Sequence, residues 1–205
     1  ASIAHTYRFT ICFAYRIQCC RISKVVWFEH SREQAMNAIG KWVRGVWIVL
    51  LVAAVVIGLD QATKEWVRIN IPKYSHIVPI PQLGQAFVFE HVDNFGAAFG
   101  ILKMHRGVFI GVAVIVAVAI LVYAPRLSAD QKLIRVILGL QMGGALGNVV
   151  DRLNHGNVTD FLDFHWRGQH WPAFNVADIA ICIGVLVLIG WTTLTGAGSS
   201  DQVKT

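Results

Sequence analysis

The chain has 205 residues, 55% of them hydrophobic and 15% charged, with a mean hydropathy of +0.54. Soluble domains carry about 25% charged residues, so an ordinary soluble domain is excluded, and so apolar a chain buries too much surface to stay disordered. The net charge of +6 suits anionic lipid head groups at a membrane surface. The apolar excess argues against a nucleic-acid binder, which leaves an integral membrane protein of one domain.

Residues 1–35 do not resemble the rest. They hold three of the four cysteines, Cys12, Cys19 and Cys20, show no clear periodicity and do not open on Met. They are expected to be an upstream extension or a mis-set start, with a four-helix transmembrane domain over 36–200 and a cytoplasmic tail over 201–205. Uncharged stretches at 45–59, 107–125, 136–150 and 179–200 give four expected spans. The first and third hold only 15 residues each, short of the ~17–25 a bilayer core requires, and are expected to span with flanking charges at the interface. With four spans both termini share a side. That side receives 11 Lys and Arg and the other 7, which favours cytoplasmic termini.

Ionisable residues gather at one end of the spans, on the expected outer side. Asp60 closes the first stretch, and Lys64 stands one helical turn on, within pairing reach. Asn148 and Asp151, like Asn175 and Asp178, repeat an i, i+3 spacing that lets each Asn sit on its Asp's helical face. Asp160, Asp163, His165 and His170 lie between them, with Trp166 and Trp171. Interfacial anchoring accounts for Asp163, the two histidines and the tryptophans. It accounts less well for a cluster of carboxylates with amide partners, because two carboxylates held close share a proton. One can then act as base on a water while the other donates to a carbonyl oxygen. The chain has no phosphate-binding Gly loop, no His-x-x-x-His and no Cys-x-x-Cys, and Cys182 stands alone in an apolar stretch, so no cofactor, metal or disulfide is expected. Gly143 and Gly147, at i and i+4, read as a close helix contact. Residues 67–105 alternate and turn, giving short strands around Ile77–Val78 and Ala86–Val92 that could cradle a substrate on the membrane face. A transporter or channel would use such carboxylates for ion coordination or proton relay, but would place them near mid-span in two similar halves.

Several blocks together resemble the lipoprotein signal peptidase family (signal peptidase II), bacterial aspartic endopeptidases that cleave diacylglyceryl-modified prolipoproteins. The blocks are Asp60-Gln61-Ala62-Thr63-Lys64 and Asn94-Phe95-Gly96-Ala97-Ala98-Phe99, then Gly143-Gly144-Ala145-Leu146-Gly147-Asn148 with Asp151-Arg152, Gly156 and Asp160-Phe161, and finally Pro172-Ala173-Phe174-Asn175-Val176-Ala177-Asp178. They arrive in family order across residues 45–195. The resemblance implies that Asp160 and Asp178 are the catalytic dyad, supported by Asp60, Lys64, Asn94, Gly144, Asn148, Arg152 and Asn175. Asp151 is expected to be structural, pairing with Arg152 or Lys64. The implied fold is an all-α integral membrane protein of four transmembrane helices, with a small extracytoplasmic β-sheet cradle and a short interfacial helix. Diacylglyceryl-modified prolipoproteins, membrane lipid and globomycin-type cyclic peptides are the implied partners of a monomer in the bacterial inner membrane, with no metal and no nucleic acid. Thr159, where an aliphatic residue is common, and the extra charge of Asp93 depart from the family pattern and bear on substrate preference.

Overall fold

The computed structural model describes residues 3–96, 106–166 and 169–197. The chain divides into two compact units, Ala1–Arg44 and Gly45–Thr205. In chain order the elements are α1 (Ile3–Asn70), β1 (His76–Ile77), β2 (Phe87–Asn94), α2 (Arg106–Tyr123), α3 (Lys132–Asn154), β3 (Val158–Trp166), β4 (Gln169–His170) and α4 (Val176–Ala197). Four segments are long and apolar enough to cross a membrane: Ile39–Asn70, Arg106–Arg126, Lys132–Asn154 and Val176–Leu194. The protein is a multi-pass helical membrane protein carrying a small antiparallel sheet.

Two expected span boundaries are corrected. The first span is not the short stretch ending at Asp60, because α1 continues to Asn70. No Gly or Pro follows Asp60 until Pro72, and the steric clash of a proline with its predecessor turns Ile71 out of the helix. The fourth span begins at Val176 rather than Ile179, so Asp178 lies inside its first turn.

The third span, α3, is the central helix: 44% of its apolar window is buried, against 28, 22 and 17% in the other three. Small residues make this possible. A Cβ on Gly143 would stand 2.9 Å from Ala53 Cα of α1, and one on Gly144 would overlap the Ala177 carbonyl oxygen of α4. The close contact expected of the glycines is therefore present on both sides of α3. Val46, Val49 and Ala53 of α1 pack with Ala117 and Ile120 of α2 and Met142 of α3. Val112, Ile115 and Leu186, among many others, point outward as lipid-facing side chains can. At the end of α3 remote from the acidic cluster, buried Arg135 donates to the carbonyls of Gly45 (3.0 Å), Ser128 (2.9 Å) and Leu127 (2.8 Å).

The sheet has the order β1-β2-β3-β4. The alternation expected before Asn94 is β2. Its partner β3, not anticipated from the sequence, places Asp160 on a strand. The β2–β3 register slips between Phe89, opposite Leu162, and Val92, opposite Asp160, so β2 carries one extra residue there. Buried His91 pins this bulge: its Nδ1 lies 2.8 Å from the Ile71 carbonyl, its N–H donates to Ser75 O (3.1 Å) and its carbonyl accepts from Tyr74 N–H (2.9 Å). Beneath the sheet, Phe161, Val67 and Ile71 form a second core with Phe89, Leu162 and Val176 around them. Two 3-10 segments, Pro81–Ala86 and Ala124–Arg126, are the short helices described, and residues 97–105 lie outside the described residues.

Candidate active site

The site is assembled where α1, α3, α4 and the sheet converge. The lead-in to α4 hooks onto β3: the N–H groups of Phe161 and Leu162 donate to Phe174 O (3.0 and 2.9 Å), and Phe174 N–H donates to Leu162 O (3.1 Å). This pairing puts Asn175 beside Asp160. Asn175 is also the N-cap of α4. Its Oδ1 accepts from Asp178 N–H (3.1 Å) while Asp178 Oδ2 accepts from Asn175 N–H (3.2 Å), a reciprocal capping box. Between them, Ala177 N–H donates to Asp60 Oδ1 on α1 (2.9 Å). Three N–H groups at the α4 N-terminus are thus taken by one amide and two carboxylates.

The expected site residues come together through amides. Asp160 Oδ2 accepts from Asn94 Nδ2 at 2.8 Å and Oδ1 from Asn175 Nδ2 at 2.7 Å. Asn175 Nδ2 also reaches Asn148 Oδ1 (3.3 Å), and Asn148 Nδ2 donates to Asp178 Oδ1 (2.9 Å). Asp160 and Asp178 are therefore joined through two side-chain amides. Behind Asn148 stands Lys64, fully buried, with three hydrogens for three acceptors: Asp60 Oδ2 (2.8 Å), Asp151 Oδ2 (3.0 Å) and Asn148 Oδ1 (2.9 Å). The one-turn pairing of Asp60 and Lys64 is present. Gly147 leaves room for it, since a Cβ there would stand 2.8 Å from Asp60 Oδ2. Among the described residues no buried polar side-chain atom lacks a partner.

Asp151 pairs with Lys64 but not with Arg152; its second cation is Arg68, 2.8 Å away. Arg152 instead donates to Asn148 O and to Gly96 O, both at 3.2 Å, and its guanidinium carbon lies 4.7 Å from the Phe109 ring centre. Gly96 N–H donates to Asn94 Oδ1 (2.9 Å), so Arg152 steadies the turn that carries Asn94. Ala97, Ala98 and Phe99 of that block lie outside the described residues. Asp163 is buried in the sheet, where its Oδ2 lies 2.9 Å from His165 Nε2, rather than serving as an exposed interfacial anchor. Thr159 is buried and turns its hydroxyl to Arg68.

Arg68 and the Gln61 amide were not singled out from the sequence. Gln61 Nε2 bridges Asp60 Oδ2 (3.0 Å), Gly147 O (3.2 Å) and Asp151 Oδ1 (3.1 Å). The signal for Arg68 was its spacing: Asp60, Lys64 and Arg68 are i, i+4, i+8 on one helical face.

Burial first, and then the nearby Asp178 carboxylate, push the Asp160 carboxyl up to about 7, against the lowering effect of the Asn94 and Asn175 hydrogen bonds. Near neutral pH such a pair offers an acid and a base at one place. Among the described residues, no group of three His, Cys, Asp or Glu side chains is arranged to hold a metal ion.

The sequence model described as Signal peptidase (SPase) II matches residues 52–194. The chain belongs to the signal peptidase II family. It is 45% identical over 154 residues to the lipoprotein signal peptidase of Moorella thermoacetica, covering 75% of this chain and 97% of that protein. Against the lipoprotein signal peptidase of Shewanella halifaxensis it is 40% identical over 166 residues, 79% of this chain and 91% of that protein. A solved bacterial membrane enzyme, determined in meso at 2.3 Å resolution, superposes with a TM-score of 0.66 at 29% identity, over 77% of this chain and 93% of its own. All four blocks that resemble signal peptidase II in sequence fall inside the matched region, and Asp60, Lys64, Asn94, Asn148, Asp151, Asp160, Asn175 and Asp178 from them meet in one side-chain network.

Proposed function

We propose that this signal peptidase II family member removes signal peptides from prolipoproteins as an aspartic endopeptidase, with Asp160 and Asp178 as its catalytic dyad. The observation that carries this reading is the amide chain from Asn94 through Asp160, Asn175 and Asn148 to Asp178, with donors on both carboxyl groups. The pair holds one proton and one water. The ionised member takes a proton from the water as its oxygen bonds to the carbonyl carbon before the lipid-modified Cys of the substrate. The protonated member gives its proton to the carbonyl oxygen, and the amide C–N bond then breaks with a proton delivered to the leaving amine. The two carboxyls titrate as one unit. Asp60, Lys64, Asn94, Gly144, Asn148, Arg152 and Asn175 hold the dyad in place.

The substrate is a diacylglyceryl-modified prolipoprotein, entering laterally with its acyl chains in membrane lipid, and globomycin-type cyclic peptides compete for the site. The enzyme works as a monomer in the bacterial inner membrane, with both termini cytoplasmic and the dyad at the extracytoplasmic face. Residues 36–200 form the peptidase domain, with 1–35 an extension and 201–205 a tail. Family membership leaves the transporter reading without support.

The test is gel-shift cleavage of a diacylglyceryl-modified prolipoprotein by purified wild type, Asp160→Asn and Asp178→Asn. Each substitution is expected to lower kcat by about 100-fold or more, the usual contribution of a positioned acid or base. Near-normal cleavage by either variant, stably folded, would remove the dyad assignment.

A further inference from the structure

Thr159 immediately precedes Asp160 on β3 and is 1% exposed. Its hydroxyl accepts from Arg68 Nε at 3.0 Å, and its backbone N–H donates to Asp151 Oδ2 at 3.1 Å. Arg68 Nη2 donates in turn to Asp151 Oδ1 at 2.8 Å, and Nη1 to Glu65 Oε2 at 3.1 Å. Guanidinium, carboxylate, hydroxyl and peptide N–H thus close a ring that ties α1, α3 and β3 together one residue from Asp160.

The strand ladder cannot supply this constraint by itself. The register slip in β2 falls between the pairs Phe89–Leu162 and Val92–Asp160, so Asp160 sits at the edge of an interrupted ladder. An unconstrained β3 would move the Asp160 carboxyl relative to two donors on other segments, Asn94 and Asn175. The ring fixes the strand where the ladder is weakest. Arg68 suits the task, because its fork delivers Nε and Nη2 to two acceptors in one plane, which a Lys ammonium does not.

We propose that Arg68 is a positioning residue for Asp160, acting through the Thr159 hydroxyl and the Asp151 carboxylate. The proposal rests on the reading of Asp160 as catalytic. Arg68 touches neither carboxyl of the dyad in this arrangement; it sets where β3 holds one of them.

The experiment uses the full chain in lipid with a diacylglyceryl-modified prolipoprotein. It measures kcat, KM and the pH–rate profile for wild type, Thr159→Val, Arg68→Met and the double variant. Thr159→Val keeps the side-chain shape and removes only the hydroxyl. It is expected to lower kcat about 10- to 100-fold, as small misplacements of catalytic groups do, with KM within about twofold. The pH profile should move towards alkaline pH, because slack hydrogen bonds from Asn94 and Asn175 favour ionised Asp160 less. The double variant should be no worse than Arg68→Met alone, because both remove one linkage. Thr159→Val with wild-type kcat and an unmoved profile overturns the proposal, as does a double variant whose losses multiply. If Arg68→Met does not fold, the Thr159→Val kcat and pH profile decide alone. Normal cleavage by Asp160→Asn in the same assay brings down the dyad reading itself, and the clamp with it.

Discussion

Lys64 decides which way the Asn148 amide faces. An ammonium only donates, so Asn148 must offer Oδ1 to Lys64 Nζ, at 2.9 Å, and this leaves Nδ2 for Asp178 Oδ1, also at 2.9 Å. A cation with no hydrogen bond to Asp178 thereby fixes a donor on its carboxyl. Replacing Lys64 by Met leaves Asp60 and Asp151 buried, with one fewer partner each. Breaking a buried ion pair from one side costs about 3–5 kcal/mol. Lys64→Met is therefore expected to unfold many degrees below wild type in a thermal scan in detergent, and an unchanged Tm would show that the triad carries no stability.

Asn175 has two duties, and one substitution separates them. Its Oδ1 caps α4 and its Nδ2 donates to Asp160. Serine is an equally good N-cap but cannot reach as a second donor. Asn175→Ser should keep stability within about 1 kcal/mol of wild type. Its kcat should fall about 100-fold, since Asp160 loses a positioning bond. Equal proportional loss in Asn175→Ser and Asn175→Ala, tracking Tm, would mean that the cap is its only role.

The helical spans and their polar ends were legible in the sequence because uncharged runs are a one-dimensional signal. The first span's true end was not, because Asp60 reads as the close of a hydrophobic run when Asp60, Lys64 and Arg68 are the polar stripe of a longer helix. Strand β3 was hidden for a different reason: Val158–Trp166 interleaves buried Thr159, Asp160 and Asp163 with apolar residues, so no alternation marks it. Asp160 and Asp178 stood among several carboxylates at the span ends, and the family resemblance alone singled them out; only the pairing of Phe174 with Leu162 brings Asn175 onto Asp160. That contact depends on backbone register, which composition does not encode. Arg152 was found by motif, and its actual partner, Gly96 O, depends on a turn that spacing does not fix.

The proton on Asp160 gives a pH dependence whose sign follows from its environment. An ordinary Asp titrates near ~4, and here burial and Asp178 raise it to about 7. The folded chain therefore binds this proton more tightly than the unfolded chain. Its contribution to stability is full below about pH 4 and is lost as the pH rises through about 7. The Tm of wild type relative to Asp160→Asn should fall steadily between about pH 5 and about pH 8. Over the same range kcat/KM should decline on its alkaline side, as the pair loses its single proton. A kcat/KM flat through pH 7 to 9 would show that this proton takes no part.

Gly144 tests whether helix packing sets the place of Asp178. A Cβ there would overlap the Ala177 carbonyl oxygen and stand 2.7 Å from Ile181 Cγ1, so α4 would have to move. Ala177 is the residue before Asp178, and the two share the first turn of α4. Overpacking of this kind costs about 1–3 kcal/mol, and here the displaced element carries one of the two carboxyls. Gly144→Ala should lower both Tm and kcat. A Cβ on Gly58 of α1 would meet nothing within 4 Å, so Gly58→Ala supplies the control. It should leave cleavage unchanged and hold or raise Tm, because alanine gains about 1 kcal/mol over glycine inside a helix. Thermal unfolding and prolipoprotein cleavage of the two variants side by side make the comparison. Equal behaviour would mean that α4 does not depend on the glycine to reach its place, and that the α3–α4 contact leaves Asp178 unconstrained.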